Sequence, residues 1–190
     1  MDVIFDVTSG VCWSIVYITA IILGFQNKTW FIPKLAICQN FAWELWMVSH
    51  QILNNSTHSV AFAIQITWLV LDIGVLVTMF LYDRGRPTNV LNNTIILGIV
   101  MLVMFALTIG AGKWELAAFL INAIMSIAFV IRLHKCPGNW TSIIIALSKF
   151  VGTLAATILN GIILYRPLIL WLGGICLGFD IYYLILLCKK

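Results

Sequence analysis

Gln39-Asn40-Phe41-Ala42-Trp43-Glu44-Leu45-Trp46 puts a carboxylate halfway along an otherwise membrane-spanning apolar run. An ionisable side chain at the centre of a bilayer costs several kcal/mol, roughly 2.5–3.5 on insertion scales. Two more acids, Asp72 and Asp180, lie at similar depth in two other apolar runs. Packing alone does not account for three such carboxylates. The interior of the bundle is therefore expected to be a reaction or transport site.

The rest of the chain sets the class. Of 190 residues, 62% are hydrophobic and 9% charged, and the mean hydropathy is +1.05. A soluble domain carries about 25% charged residues, so the sequence describes an all-α polytopic membrane protein. Its length suits a single domain, 1–190. The acidic start Met1-Asp2-Val3-Ile4-Phe5-Asp6 lacks a basic n-region, so no cleavable signal peptide is expected.

A span needs about 20 apolar residues to cross the hydrocarbon. Seven stretches qualify: 7–25, 32–53, 60–82, 93–112, 115–133, 141–165 and 167–188. Tyr82–Asn89 and His134–Asn139 are turn segments. With the N-terminus outside, the cytoplasmic ends hold Lys28, Lys34, Arg84, Arg86, Arg132, Lys135, Lys189 and Lys190. The opposite side keeps Lys113 and Arg166, and Lys149 falls inside span six. That bias predicts N-out, C-in, and an odd number of spans. The net charge of +4 is then a topology signal, not the mark of an acidic partner, and nothing points to nucleic acid. Sequons begin at Asn54 and Asn55, in a loop too short and too close to the membrane to promise glycosylation.

Polar residues inside the spans fall into stripes. Asn40 and Glu44 are one turn apart, with Gln39, Trp43, Trp46 and His50 beside them. Gln65, Trp68 and Asp72 share a face of span three; Cys176, Asp180 and Tyr183 share one of span seven. Span five offers Glu115, Phe119, Asn122, Ser126 and Phe129, and span six Lys149, Thr153 and Asn160. Span four is almost wholly apolar, with Thr108 its main polar side chain. At 1.5 Å per residue, Glu44 lies ~18 Å from the cytoplasmic end of its span. Asp72 and Asp180 lie ~18–20 Å from the outer ends of theirs. One shared cavity is the expectation.

Each group also has a structural reading. Glu44 or Asp180 would be a protonated acid bonded to a neighbouring helix, and Asp72 a partner that orients other groups. Lys149 would snorkel or pair with an acid, and His50 would be interfacial. Trp30, Trp114 and Trp140 suit interfacial belts, whereas Trp43, Trp46 and Trp68 are deep enough to line a cavity. Cys12, Cys38, Cys136, Cys176 and Cys188 form no metal-type pair and are read as small apolar fillers. There is no DDxxD-like acidic cluster, HExxH, CxxC or GxxxxGK[ST] motif, which argues against a metal-dependent, diphosphate-ionising synthase.

Three stretches resemble the integral-membrane terpene cyclases of meroterpenoid and indole-terpenoid pathways, the pyripyropene- and paxilline-type enzymes. Asn40-Phe41-Ala42-Trp43-Glu44 is similar to their Asn-x-Ala-Trp-Glu segment. Trp68-Leu69-Val70-Leu71-Asp72 is similar to their Trp-Leu-x-x-Asp segment, and Gly178-Phe179-Asp180-Ile181-Tyr182-Tyr183 to the Asp and aromatics of their last span. The order of the motifs and the seven spans extend the resemblance over nearly the whole chain. It implies that Glu44 and Asp180 are the carboxylates essential for cyclisation; Glu44 is read as the leading acid for initiation and Asp180 as either a second proton-handling group or the acid's partner, with the two roles open to exchange. It also implies a lipophilic prenylated substrate, a setting among membrane lipids, and no metal or organic cofactor.

The implied chemistry suits the residues. Cyclisation begins by protonating a terminal epoxide or alkene, which needs a carboxylic acid in its neutral form. An apolar surround disfavours the charged form. Trp43, Trp46, Trp68 and Tyr183 would stabilise the carbocation through their ring faces, and Asn40, Gln65 and Asp72 would tune the acid. The host would be a bacterial plasma membrane or a fungal endoplasmic reticulum. The oligomeric state is left open. Two other classes also place charge at mid-membrane: a proton-coupled small-solute transporter and a heptahelical receptor or retinal protein. An odd span count without evident repeats disfavours the first. Short loops, and a lysine outside the last span, disfavour the second.

Overall fold

Three turns in this chain close on residues that are not glycine. Lys28, Asn55 and Tyr165 have φ of 50°, 53° and 50°, a left-handed conformation that helix ends use to satisfy their last carbonyls. After each, the next amide turns back into the helix: Thr29 N–H to the Gly24 carbonyl (3.1 Å), Ser56 to Gln51 (2.9 Å) and Arg166 to Gly161 (3.2 Å). The turns stop helices that apolar periodicity alone would not end.

The computed structural model describes residues 2–83, 92–101, 103, 114–135 and 142–189. These form α1 (Asp2–Asn27), α2 (Lys34–Leu53), α3 (Val60–Tyr82), a shorter α4 (Asn92–Met101), α5 (Trp114–Lys135), α6 (Ile143–Thr157) and α7 (Pro167–Cys188). A π-helical turn, Ile158–Ile163, prolongs α6. Starts follow local chemistry. Ser59 accepts from the Phe62 amide (3.0 Å) and Ser142 from that of Ile145 (3.4 Å), while Pro167 opens α7. Arg84, Arg86, Lys113, Cys136, Trp140 and Lys190, the two turn segments beyond their first residues, and span four beyond 103 lie outside the described residues.

Among the described residues, five helices are long and apolar enough to cross a membrane: α1, α3, α5, α6 with its π turn, and α7. α2 falls short of that composition, because Gln39, Asn40, Glu44 and His50 are spread along it. Its polar groups are carried inside: Asn40, Trp43 and Glu44 are buried.

Helix pairs α3–α1, α1–α6, α6–α7, α7–α5, α5–α2 and α2–α3 all pack together, closing a ring of six. α4 adds Val100 and Met101 to the α2–α5 seam, against Ala42, Trp43 and Ile121. Outward faces remain apolar: Trp171 is 74% exposed, and Val70, Leu168 and Leu170 also face out. Such a surface is stable only when lipid covers it. At one end of the bundle Lys34 pairs with Asp83 (2.6 Å), Arg132 donates to the Trp30 carbonyl (2.7 Å), and both cations lie over the Trp30 ring. Arg166 pairs with Glu115 (2.8 Å) at the other end.

The ring order corrects one expectation. Spans two, three and seven do not flank one another. α2 and α3 are neighbours, but α7 packs on α5 and α6, across the ring from α3.

The α6–α7 seam depends on small residues, as membrane interfaces do. A Cβ on Gly173 would run into the Thr157 side chain, which is fixed by its own bond to the Thr153 carbonyl (2.7 Å). Gly173→Ala is expected to destabilise the bundle by about 1–3 kcal/mol. Gly173→Ala/Thr157→Ala should recover part of that loss, as read by thermal melts in detergent.

Candidate active site

α1 presents Asp6, Ser9, Trp13 and Tyr17 at i, i+3, i+7 and i+11, a single inward stripe. With it, α2 contributes Asn40, Trp43, Glu44, Met47 and Gln51, and α3 contributes Ala61, Ile64, Gln65 and Trp68. α5 adds Trp114, Glu115, Phe119, Asn122 and Met125, and the end of α6 adds Ala156 and Asn160. Together they line a cavity of about 420 Å³ inside the ring. That lies within the usual range for small-molecule sites, about 300–1,000 Å³. The lining residues run from mid-helix to the end of the bundle that carries Arg166 and Glu115.

Glu44 is 3% exposed at the deep end, and its Oε2 has no hydrogen-bond partner among the described residues. Beside it Asn40 Nδ2 donates to the Tyr17 hydroxyl (2.7 Å), tying α2 to α1. Asp72 does not line the cavity. It is buried one helical turn beyond Trp68 on α3, with neither carboxylate oxygen hydrogen-bonded among the described residues. Tryptophan rings form much of the wall. Trp68 Nε1 donates to the Gly10 carbonyl (3.4 Å), and Trp13 lies 5.9 Å from the Tyr17 ring. At the mouth the Gln51 amide bonds Gln65, and His50 packs against Trp114 (4.6 Å).

Of the residues singled out in the sequence, Glu44, Asn40, Trp43, Gln65 and Trp68 share this cavity. Trp46, Asp180 and Tyr183 are not among its lining residues. Trp46 is instead 6.0 Å from the His50 ring, and Tyr183 packs on Phe129 (5.3 Å) in the apolar core. Asp180 is ion-paired: Lys149 Nζ is 2.7 Å from Oδ1 and 2.8 Å from Oδ2. The expected single cavity with three acids therefore resolves into one lining acid, one acid buried outside the lining, and one neutralised acid. Trp13, Tyr17 and Met125 join the wall without having been singled out in the sequence. The α1 stripe is the signal that marks two of them. Trp114 belongs to the mouth of the cavity as well as to a helix end. Among the described residues no cluster of His, Cys, Asp or Glu could hold a metal ion.

A lipid-facing helical bundle with an acid- and tryptophan-lined cavity of small-molecule size defines the class: an integral membrane protein. Residues 1–189 match the model of the Pyr4-like transmembrane terpene cyclases, and the chain belongs to that family. The terpene cyclase nodB of Hypoxylon pulicicidum is 27% identical over 203 residues, covering 95% of this chain and 82% of that protein. The terpene cyclase pyr4 of Aspergillus fumigatus is 24% identical over 208 residues, covering 95% and 83%. The Pyr4-family terpene cyclase mfmH of Annulohypoxylon moriforme is 32% identical over 80 residues, which span 42% of this chain and 31% of mfmH.

The Asn40–Tyr17 bond gives a test of the site's construction. Tyr17→Phe strands a buried amide donor, a loss of about 1–3 kcal/mol. Tyr17→Phe/Asn40→Leu removes both partners and should be destabilised by less than the two single changes combined. Melting temperatures of the three variants that simply add would show that the bond carries no coupling.

Proposed function

We propose that the protein cyclises a linear prenyl chain by acid initiation, with Glu44 in its acid form as the proton donor. The observation that carries this reading is the Glu44 oxygen without a hydrogen-bond partner among the described residues, at the deep end of a cavity walled by Trp13, Trp43 and Trp68. Protonation of a terminal epoxide breaks a C–O bond, or protonation of an alkene uses its π pair, and leaves a carbocation. Successive alkenes then attack it to close rings. Loss of a proton from the last cation returns the acid, so the reaction is an isomerisation and needs no metal. A positioned general acid contributes roughly 10²–10⁴-fold. The tryptophan faces stabilise cationic intermediates, each by roughly 0.5–2 kcal/mol, and the ring of helices excludes the water that would quench them early.

Asn40, Asp72 and Gln65 tune and orient the donor, and Asp180 is a second carboxyl on which full activity of the unaltered protein depends. The substrate is a prenylated small molecule or a linear terpenoid. Its reacting end lies near Glu44 and its other end toward Gln51, Gln65 and Asn160. With the basic end of the bundle cytoplasmic, that mouth opens toward the opposite face of the membrane.

Membranes containing the protein, given farnesyl- and geranylgeranyl-bearing substrates with and without terminal epoxides, should yield cyclised isomers. Glu44→Gln should lower the yield roughly 100-fold or more at matched protein level. Near-native turnover by that variant removes Glu44 as the donor. The aromatic wall makes a separate prediction. Trp43→Leu and Trp68→Leu should change the ratio of partially to fully cyclised product, and Trp46→Leu, outside the cavity lining, should leave it unchanged.

A further inference from the structure

Lys149 is a buried cation, 3% exposed, in the middle of α6. Its three N–H donors meet three acceptors: both oxygens of Asp180 at 2.7 and 2.8 Å, and Ser126 Oγ at 2.5 Å. Ser126 in turn donates to the Asn122 carbonyl (3.0 Å), so its own proton is used. The side of the ammonium left open faces the Trp13 ring, whose centroid is 5.6 Å away. Trp13 is a wall of the cavity. Its edge lies against α6 where Gly152 leaves room, since a Cβ there would come within 3.0 Å of Trp13 Cδ1. The ion pair therefore stands one indole away from the chamber.

That placement has an electrostatic consequence. An ammonium and a carbocation repel, and the repulsion is strong in a low-dielectric interior. A ring already facing one cation is also a weaker partner for a second. A carboxylate against the ammonium cancels its charge and leaves only a short dipole. We infer that Lys149, Asp180 and Ser126 form a charge-balanced brace behind Trp13, and that Asp180 serves cyclisation as the counter-ion of Lys149, not as a proton donor to substrate. The inference rests on the cyclase reading above. It makes Asp180 and Lys149 positioning residues that act through Trp13 and through the field in the cavity.

The test compares Asp180→Asn, Lys149→Met and Asp180→Asn/Lys149→Met, with wild type and Glu44→Gln as references. Melting in detergent gives the folded fraction, and kcat and KM are measured for a substrate that wild type cyclises. Asp180→Asn leaves a buried cation unbalanced. Its loss should fall on kcat, because only the cationic intermediates feel the charge, with KM little changed. Removing the cation as well should restore kcat by at least about tenfold over Asp180→Asn. A folded double variant no faster than Asp180→Asn overturns the proposal, since the carboxyl is then needed for itself. A loss confined to KM or to folded protein also overturns it. Should Asp180→Asn fail to accumulate, turnover by the double variant above that of folded Glu44→Gln supports the brace, and turnover no higher overturns it. A wild type that cyclises none of the substrates overturns the cyclase reading and the brace together. An active wild type with a folded, inactive double variant overturns the brace alone.

Discussion

A charge buried in hydrocarbon must find an opposite charge or a set of hydrogen bonds, and this constraint organises the bundle. Lys149 and Asp180 meet it together. Through Ser126 and Trp13 their cluster touches α5, α6, α7 and α1, more than half of the six-helix ring. Hydrophobic burial cannot select neighbours inside a membrane, because lipid tails are as apolar as leucine side chains. Polar contacts and close backbone approaches do the selecting. Gln51–Gln65 joins the neighbours α2 and α3 and Gly173 against Thr157 seats α7 on α6, while Asn40–Tyr17 and Asn122–Thr153 tie α2 to α1 and α5 to α6, helices that are not adjacent in the ring.

The same constraint makes the exceptions informative. Buried polar atoms are nearly always satisfied, so those that are not call for an explanation. Glu44 Oε2 and both oxygens of Asp72 have no hydrogen-bond partner among the described residues. Glu44 stands at the deep end of the chamber and Asp72 is buried outside its lining, whereas the acid on α7 is matched to a base. Under the proposed cyclase reading, a chamber that hosts a short-lived cation has reason for that division. Neutral or proton-bearing groups can stand at its wall, and full charges are cancelled behind an aromatic screen.

Much of this was legible in the sequence, and the parts that were not share one cause. The bounds of α3 and α7 agree with hydropathy, and Glu44, Asn40, Trp43, Gln65 and Trp68 follow from helical spacing. The place of each acid along its helix was readable from residue counts. Direction was not, because it depends on the order of helices around the ring, and periodicity carries no information about that order. Asp180 has the depth of Glu44 but sits on a helix whose neighbours are α5 and α6, so it meets Lys149. Trp46 follows Glu44 by two residues, about 200° around the helix, and its absence from the cavity lining follows from that angle. Tyr183, one turn beyond Asp180, packs on Phe129.

The α1 stripe shows the converse. Asp6, Ser9, Trp13 and Tyr17 repeat at helical spacing, yet a tryptophan and a tyrosine near an end of the chain also fit an interfacial belt. Only packing against α3 and α6 separates the two meanings. Ile64 fills the space beside Gly10, and Gly152 admits the Trp13 indole. The three acids singled out in the sequence lie on α2, α3 and α7, but the cavity is walled in good part by α1 and α5. With Glu44 as the proposed donor, a change of substrate among related chains is expected to proceed through Trp13, Tyr17, Phe119 or Met125 while the acid on α2 stays fixed, because these wall residues and the donor reside on different helices.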